Sequence, residues 1–409
     1  MPTPLKPETI AIVKACIPAL EAHGHDITLA MYRRLFANEE IKDLFNQSHQ
    51  GDNGSQPKAL AGAILAYAQH IENPGVLVAA LERIAQKHAG LNILPEHYPH
   101  VATALLGALG DVLGEAATPE ILGAWGEAYW FLAEVLIDRE AQIYREHAEA
   151  PGGWVGWRAF TVERVERESE TVSSFYLKPT DGGDVVRHRP GQFLTFKLDI
   201  PGHGVLKRNY SISSAPRDDG YRITVKREDA RPGAPAGLAS SWLHAHARPG
   251  TVLQVAPPAG DFVLDQAGQT PVVLLSGGVG LTPMVSMLES IAAAGQDRTV
   301  WYVHGAQNRR LHAMAGHVRS LAETARDVKL AHFYAEPEGD DVQGRDYDQQ
   351  GFITIDWLKS HTPFDQAVFY LCGPRPFLRA LVNGLAGAGV PADRIRYEFF
   401  GPADEVLAA

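Results

Sequence analysis

Cysteine is almost missing from this 409-residue chain: Cys16 and Cys372 lie far apart and outside any C-x-x-C spacing. Neither a disulfide framework nor a thiolate metal cluster is therefore written into it, and both residues read as thiols in a reducing compartment. No run approaches the ~20 consecutive apolar residues that a bilayer-crossing helix needs. The start of the chain, with Lys6, Glu8 and Lys14 among prolines, lacks the apolar stretch and small-residue cleavage site of an export signal, so the expected location is cytoplasmic. Positive charge is also in deficit. The 37 Lys and Arg face 48 Asp and Glu, a formal net charge of -11, so no general field draws nucleic acid or anionic lipid. What remains, 45% hydrophobic and 21% charged residues, is the composition of a folded globular protein and excludes wholesale disorder, a collagen-like repeat or a coiled coil. At roughly 100–200 residues per domain, the length implies two or three domains.

Three segments differ in period. Residues 1–148 are rich in Ala, Leu and Glu, and apolar positions recur at helical spacing through Leu77, Leu81, Ile84 and His88, and again through Gln56, Leu60, Ala63 and Tyr67. Thr118-Pro119 reads as the cap and first turn of a helix running past Trp125 and Leu136. This segment is expected to be an all-α bundle, ended by the breakers Pro151-Gly152-Gly153. From 153 to 265 the period falls to two, as in Leu194, Phe196, Leu198 and in Tyr221, Ile223, Val225, which predicts a small antiparallel β-barrel. From 269 to 409 apolar runs (Val272 to Leu275, Val300 to Val303, Val368 to Leu371) alternate with helical stretches, predicting α/β units around a parallel sheet.

In the first segment His88 falls on the apolar stripe, four residues after Ile84, where a single ring nitrogen can bind iron. Tyr32, Gln56, Tyr98 and Glu140 are polar at positions where a core prefers aliphatic residues, and each needs a partner if buried. Glu140 shares the stripe of Leu136 and Ile143, so its carboxylate should face inward. A carboxylate or tyrosine on the far nitrogen of a metal-bound imidazole fixes the tautomer and strengthens the donor. The same residues also admit a plainer arrangement: a hydrogen-bonded core histidine, Glu140 paired with a cation such as Arg139, and Tyr98 as a half-buried core ring.

In the second segment Arg208-Asn209-Tyr210-Ser211 places a permanent cation, a flat ring and a hydroxyl within four residues, the parts that a flavin and its pyrophosphate require. Pro190-Gly191-Gln192-Phe193 precedes it and Val225-Lys226-Arg227 follows. Gly237 to Trp242, with Ser240, offers N–H groups and hydroxyls near a helix start, a setting for phosphate. In the third segment the strand from Val272 runs into Ser276-Gly277-Gly278-Val279-Gly280-Leu281-Thr282-Pro283. Glycines there let the backbone approach a diphosphate, and Thr282-Pro283 are expected as cap and first turn of the next helix. Arg309 and Arg310, after a strand ending at His304, can meet a 2′-phosphate or stand as a solvated pair, which leaves both NADH and NADPH open.

Together these motifs resemble the flavohaemoglobins over essentially the whole length. Phe45 in Leu44-Phe45-Asn46 looks like the globin phenylalanine that packs on the porphyrin, and Ile84 to His88 like the segment ending in the proximal ligand. The resemblance implies haem b held by His88, with Lys87, Tyr98 and Glu140 as the proximal network and Tyr32, Gln56 and Leu60 on the distal side. The second and third segments resemble the ferredoxin reductase superfamily, which implies FAD on the Arg208 to Ser211 motif with Lys226 and Ser240, and NAD(P)H on Ser276 to Thr282 beside Cys372-Gly373-Pro374. One departure is Phe193, where many family members carry tyrosine; a phenyl ring can still stack on the flavin but brings no hydroxyl to FAD. Glu398-Phe399-Phe400-Gly401-Pro402 looks like the terminal segment that reaches back over the flavin, with Phe400 covering the ring and Glu398 between flavin and haem. The implied activity is nitric oxide dioxygenation: a hydride from NAD(P)H enters the flavin, the flavin divides the pair for the iron, and nitric oxide plus O₂ leaves as nitrate. The chain is expected to work as a monomer. A gas sensor with a resetting reductase, and a reductase with a haemless docking module, are the competing classes.

Overall fold

The computed structural model describes residues 3–44, 55–232, 235–295 and 297–401. They gather into two compact units, one of Met1–Ala150 with Pro201–Arg208, the other of Pro151–Ile200 with Asn209–Ala409. Apart from Pro201–Arg208, the second and third sequence segments thus share one unit.

The first unit is helical, with α1 (Pro7–Ala15), α2 (Ile17–Leu35), α3 (Glu39–Lys42), α4 (Ser55–His70), α5 (Val78–Leu91), α6 (Tyr98–Leu113) and α7 (Pro119–Glu149). Thr118 caps α7 as expected, its hydroxyl accepting from the Ile121 N–H, with Pro119 opening the first turn. The main core joins Ile27 and Met31 of α2, Tyr67 and Ala68 of α4, Ala108 and Leu109 of α6, and Trp125 and Ala128 of α7. Small residues let the helices approach closely enough for the Tyr67 hydroxyl to donate to the Ala128 carbonyl, at 2.8 Å. Each large apolar side chain sealed there contributes about 1.5–3 kcal/mol. The stripe read through Ala63 is corrected: Ala63 is exposed, and Ile64, Tyr67 and Ala68 carry that face of α4 inward. A smaller cluster under α5, α6 and α7 (Ala85, Ala89, Tyr98, Leu136, Ile143) surrounds the His88 neighbourhood.

The second sequence segment holds β1 (Arg158–Arg167), β2 (Val172–Pro179), β3 (Phe193–Ile200), β4 (Gly204–Ser211), β5 (Tyr221–Lys226), α8 (Leu238–His246) and β6 (Val252–Val255). They form an antiparallel sheet in the order β4-β3-β6-β1-β2-β5, and an Ile212–Ile223 bridge joins the chain just past β4 to β5, curling the sheet on itself. The simple inside-outside alternation predicted for β5 does not hold. Arg222 and Thr224 are buried along with Tyr221, Ile223 and Val225, because side chains of the third segment cover their face: Glu289 bonds Arg222 and Met314 lies against Thr224.

Then follow β7 (Val272–Gly277), α9 (Leu281–Ala294), β8 (Val300–Ala306), α10 (Ala315–Thr324), β9 (Val328–Tyr334), β10 (Gln349–Gln350), α11 (Ile355–His361), β11 (Val368–Cys372), α12 (Arg375–Gly387) and β12 (Ile395–Glu398). All pair parallel, in the order β10-β9-β8-β7-β11-β12. α9 and α10 cover one face and α11 and α12 the other, so the strands are apolar on both sides. The order reverses between β7 and β11, and the crevice beyond their carboxyl ends is where open α/β sheets bind ligands.

Candidate functional site

α5, α6 and α7 bring three polar side chains together. His88 Nδ1 lies 2.7 Å from Glu140 Oε1 and 3.2 Å from the Tyr98 hydroxyl, which itself donates to the same carboxylate oxygen at 2.7 Å. Glu140 is only 2% exposed, and the two partners bonded to it offset the cost of burying a carboxylate. Burial and then the Glu140 charge push the Tyr98 hydroxyl far up, which keeps it a proton donor. With Nδ1–H donating to the carboxylate, the tautomer is set and Nε2 carries the lone pair, the donor chemistry an iron porphyrin needs. The plainer arrangement for Glu140 does not occur: Arg139 pairs with Glu82, at 2.7 and 2.9 Å. The His88 side chain is 31% exposed rather than sealed in a core. Lys87, one residue earlier on α5, is rotated about 100° around the helix from it.

Tyr32 on α2 is 9% exposed and packs on Phe36, and burial pushes its hydroxyl up to about 12. Gln56 and Leu60 lie one turn apart on α4, both half-buried. The two helices meet where the Thr28 hydroxyl, one turn before Tyr32, donates to the carbonyl of Pro57, next to Gln56. Phe45 and Pro402 lie outside the described residues.

Arg208-Asn209-Tyr210-Ser211 ends β4 and each residue is fastened: Arg208 Nη1 donates to the Lys207 carbonyl at 2.7 Å, Asn209 Oδ1 accepts from the Thr195 hydroxyl at 2.9 Å, Tyr210 meets Phe196 edge-on, and Ser211 is buried. Phe193 is buried in the barrel wall, its ring against Gly260, where an added Cβ would come within 3.1 Å of it. Lys226 pairs with Glu228, whose N–H bonds the Ser240 hydroxyl, and Ser240 donates to the Gly237 carbonyl just before α8.

The loop after β7 is built for close approach. Gly278 has a φ of +54° with open space where a Cβ would stand, and at Gly280 a Cβ would lie 2.2 Å from the Cys372 carbonyl oxygen. Thr282 is not the helix cap: Gly278–Gly280 already winds as a 3-10 turn, α9 starts at Leu281, and the Thr282 hydroxyl donates back to the Val279 carbonyl at 3.1 Å. Cys372 closes the other side of the switch point, its thiol raised by burial and by Glu398. Glu398 ends the edge strand β12. Phe399 is half-buried against the α12-side core and the Gly401 backbone, and Phe400 is 47% exposed. Arg309 is paired with Asp340 and Asp341, and Arg310 with Glu170 and Glu338.

Two sets of residues are not apparent from the sequence motifs. Parallel register puts Glu398, Cys372, Ser276, His304 and His332 in one transverse row. The Ser276 hydroxyl meets His304 Nδ1 at 2.8 Å, His304 stacks on His312, and burial lowers all three histidines. A signal for the row exists: β7, β8, β9 and β11 each begin with Val and carry Ser, His, His and Cys at the fifth position. Glu289 has no such signal.

The site and fold define a haem-type helical module joined to a flavin and nicotinamide oxidoreductase. Family models match as Globin over residues 29–136, Oxidoreductase FAD-binding domain over 159–264 and Oxidoreductase NAD-binding domain over 274–383. A flavohemoprotein of Xylella fastidiosa is 55% identical over 100% of both chains. The crystal structure of a flavohemoglobin from Malassezia yamatoensis with bound FAD and heme superposes with a TM-score of 0.85 at 27% identity, covering 98% of this chain and 100% of that one. The FAD/NAD-binding domain of a Vibrio cholerae nitric oxide dioxygenase matches at 34% identity with a TM-score of 0.55, over 60% of this chain and 100% of that one. The chain belongs to the flavohemoprotein family and is an NAD(P)H-dependent oxidoreductase that uses haem, FAD and a nicotinamide nucleotide.

Proposed function

We propose that the chain oxidises nitric oxide to nitrate with O₂ at the expense of NADH. The observation that carries the reading is the buried His88–Glu140–Tyr98 cluster. When bound, haem supplies a redox-active iron, and FAD a ring that takes up a hydride and hands on single electrons. The rest is the work of the chain. Glu140 accepts from Nδ1 and strengthens the imidazole as a donor, so Nε2 of His88 would hold the haem iron when the group is bound, while Tyr98 shares the carboxylate without losing its proton. Tyr32, protonated at neutral pH, and Gln56 supply hydrogen-bond donors on the opposite side. Arg208 offers a fork to the flavin pyrophosphate, Tyr210 a ring face and Ser211 a hydroxyl. The Gly277 to Gly280 backbone cradles the dinucleotide phosphates at the amino end of α9. The balance is one NADH, two NO and two O₂ giving NAD⁺, a proton and two nitrates. Anaerobic NADH should bleach the flavin and then shift the haem spectrum to the reduced form; addition of O₂ and NO should yield two nitrates per NADH. Bleached flavin beside persistently oxidised haem would refute the scheme. The buried free thiols Cys16 and Cys372 suit a cytoplasmic setting, and among the described residues no helix is long and apolar enough to cross a membrane.

Cofactor choice follows from Arg309 and Arg310. Four carboxylates already pair with these two cations, so an added 2′-phosphate meets more negative charge than positive. NADPH should bind about tenfold or more weakly than NADH. Titration of flavin bleaching with each nucleotide checks this, and equal half-saturation would overturn it.

A further inference from the structure

The helix that opens at the dinucleotide loop also grips the chain just past the flavin motif. On α9, Ser286, Glu289 and Ser290 share one buried face. The Ser286 hydroxyl donates to the Ser214 carbonyl at 2.7 Å. Glu289 Oε2 accepts from the Ala215 N–H at 2.7 Å, and Oε1 receives Arg222 Nη2 of β5 at 2.5 Å and His317 Nε2 of α10 at 2.6 Å. Arg222 also donates to the Ser213 carbonyl, and His188 Nε2 faces the Ser214 carbonyl at 3.1 Å. One carboxylate, 14% exposed, thus ties a barrel strand, the loop that begins two residues after Ser211, and two helices of the nicotinamide half. Burial raises its pKa, but His317, Arg222 and the Ala215 N–H outweigh burial and hold the group below the usual glutamate range. It is an anion at neutral pH.

We propose that Glu289 is a positioning residue for hydride transfer: it fixes the flavin-binding strands against the helix that carries the nicotinamide loop. The step it serves moves one hydride from the dihydronicotinamide C4 to the flavin N5, oxidising the first by two electrons and reducing the second by two, with no further reactant. The two atoms must meet within a few tenths of an ångström of contact distance, and a misplacement of 1 Å costs on the order of a hundredfold in rate. The inference rests on the reading that NADH reduces FAD in this chain, and that step is checked first in the unsubstituted holoprotein; its failure there would refute the reading rather than the role of Glu289.

The test is Glu289→Gln, which keeps the shape and removes the charge. Stopped-flow reduction of the holoprotein by NADH without O₂ should show the limiting rate of flavin bleaching lowered by about tenfold or more, since alignment and not binding is lost. Half-saturation by NADH should stay within about twofold. FAD content and the Soret band should be unchanged, and the long-wavelength charge-transfer absorbance of the nicotinamide–flavin pair should be weakened. In the cofactor-free chain, amide exchange over residues 212–216 should quicken. His317→Leu, at a 37% exposed position, withdraws only one of the three bonds and should give a smaller loss of the same kind. An unaltered limiting rate in either folded variant overturns the proposal, as does a rate loss matched by equal loss of FAD or NADH affinity.

Discussion

Replacing His88 by alanine is expected to yield a protein without a Soret band whose flavin is still bleached by NADH. The imidazole is the one ring nitrogen that the α5–α7 cluster aims and conditions, and nothing else among Tyr98, Glu140 and Lys87 supplies a comparable neutral donor. The substitution also leaves Glu140, 2% exposed, with Tyr98 as its partner in the cluster. Leaving a buried group short of a partner costs about 1–3 kcal/mol, more when it is charged. The variant should therefore melt earlier, and His88→Ala combined with Glu140→Gln should recover part of that stability without recovering haem. Absorption spectra and thermal melts of the two variants separate ligation from folding. A retained Soret band in His88→Ala would refute the assignment.

Much of this site is legible in the sequence because its chemistry is local. Arg208 to Ser211 and Ser276 to Leu281 are contiguous, and a strand followed by glycines and a helix is visible as a change of period. Glu140 is legible as well, since a carboxylate on the stripe of Leu136 and Ile143 has to find a buried partner. What stays hidden depends on register and docking. Whether Glu140 chooses His88 or Arg139 turns on how α5 lies along α7, a tertiary fact. Ser276, His304 and His332 align only once parallel pairing is set, and Glu289 meets Arg222 only because α9 packs over β5. The Thr282 cap fails for a different reason. Thr-Pro is a sound helix-start signal, but Gly278 to Gly280 begin winding earlier as a 3-10 turn and shift the start forward.

Gly280→Ala should cut NADH-driven flavin reduction about a hundredfold while leaving haem and FAD in place. The reason is space and not backbone freedom. Gly280 has φ -60° and ψ -5°, angles that alanine adopts readily, yet its Cβ would stand 2.2 Å from the Cys372 carbonyl oxygen and 2.7 Å from the Gly373 nitrogen. Both are backbone atoms at the carboxyl end of β11, an interior strand held in register against β7 from Val368 to Cys372. Neither can swing aside as a flexible side chain would. The β7 loop and the Cys372-Gly373 turn must part, and they are the two walls of the crevice at the switch point. Overpacking of this kind costs about 1–3 kcal/mol in stability, a modest fall in melting temperature beside the kinetic loss. Gly278→Ala is the control of opposite character, because its φ of +54° imposes strain while nothing stands within 4 Å of the added methyl. That variant should lose roughly 1 kcal/mol and keep the crevice walls together, so its flavin reduction should fall far less. Stopped-flow bleaching by NADH, with dithionite reduction confirming intact cofactors, distinguishes the two. Equal rates in Gly280→Ala and the unsubstituted chain would mean that the nicotinamide does not enter between β7 and β11.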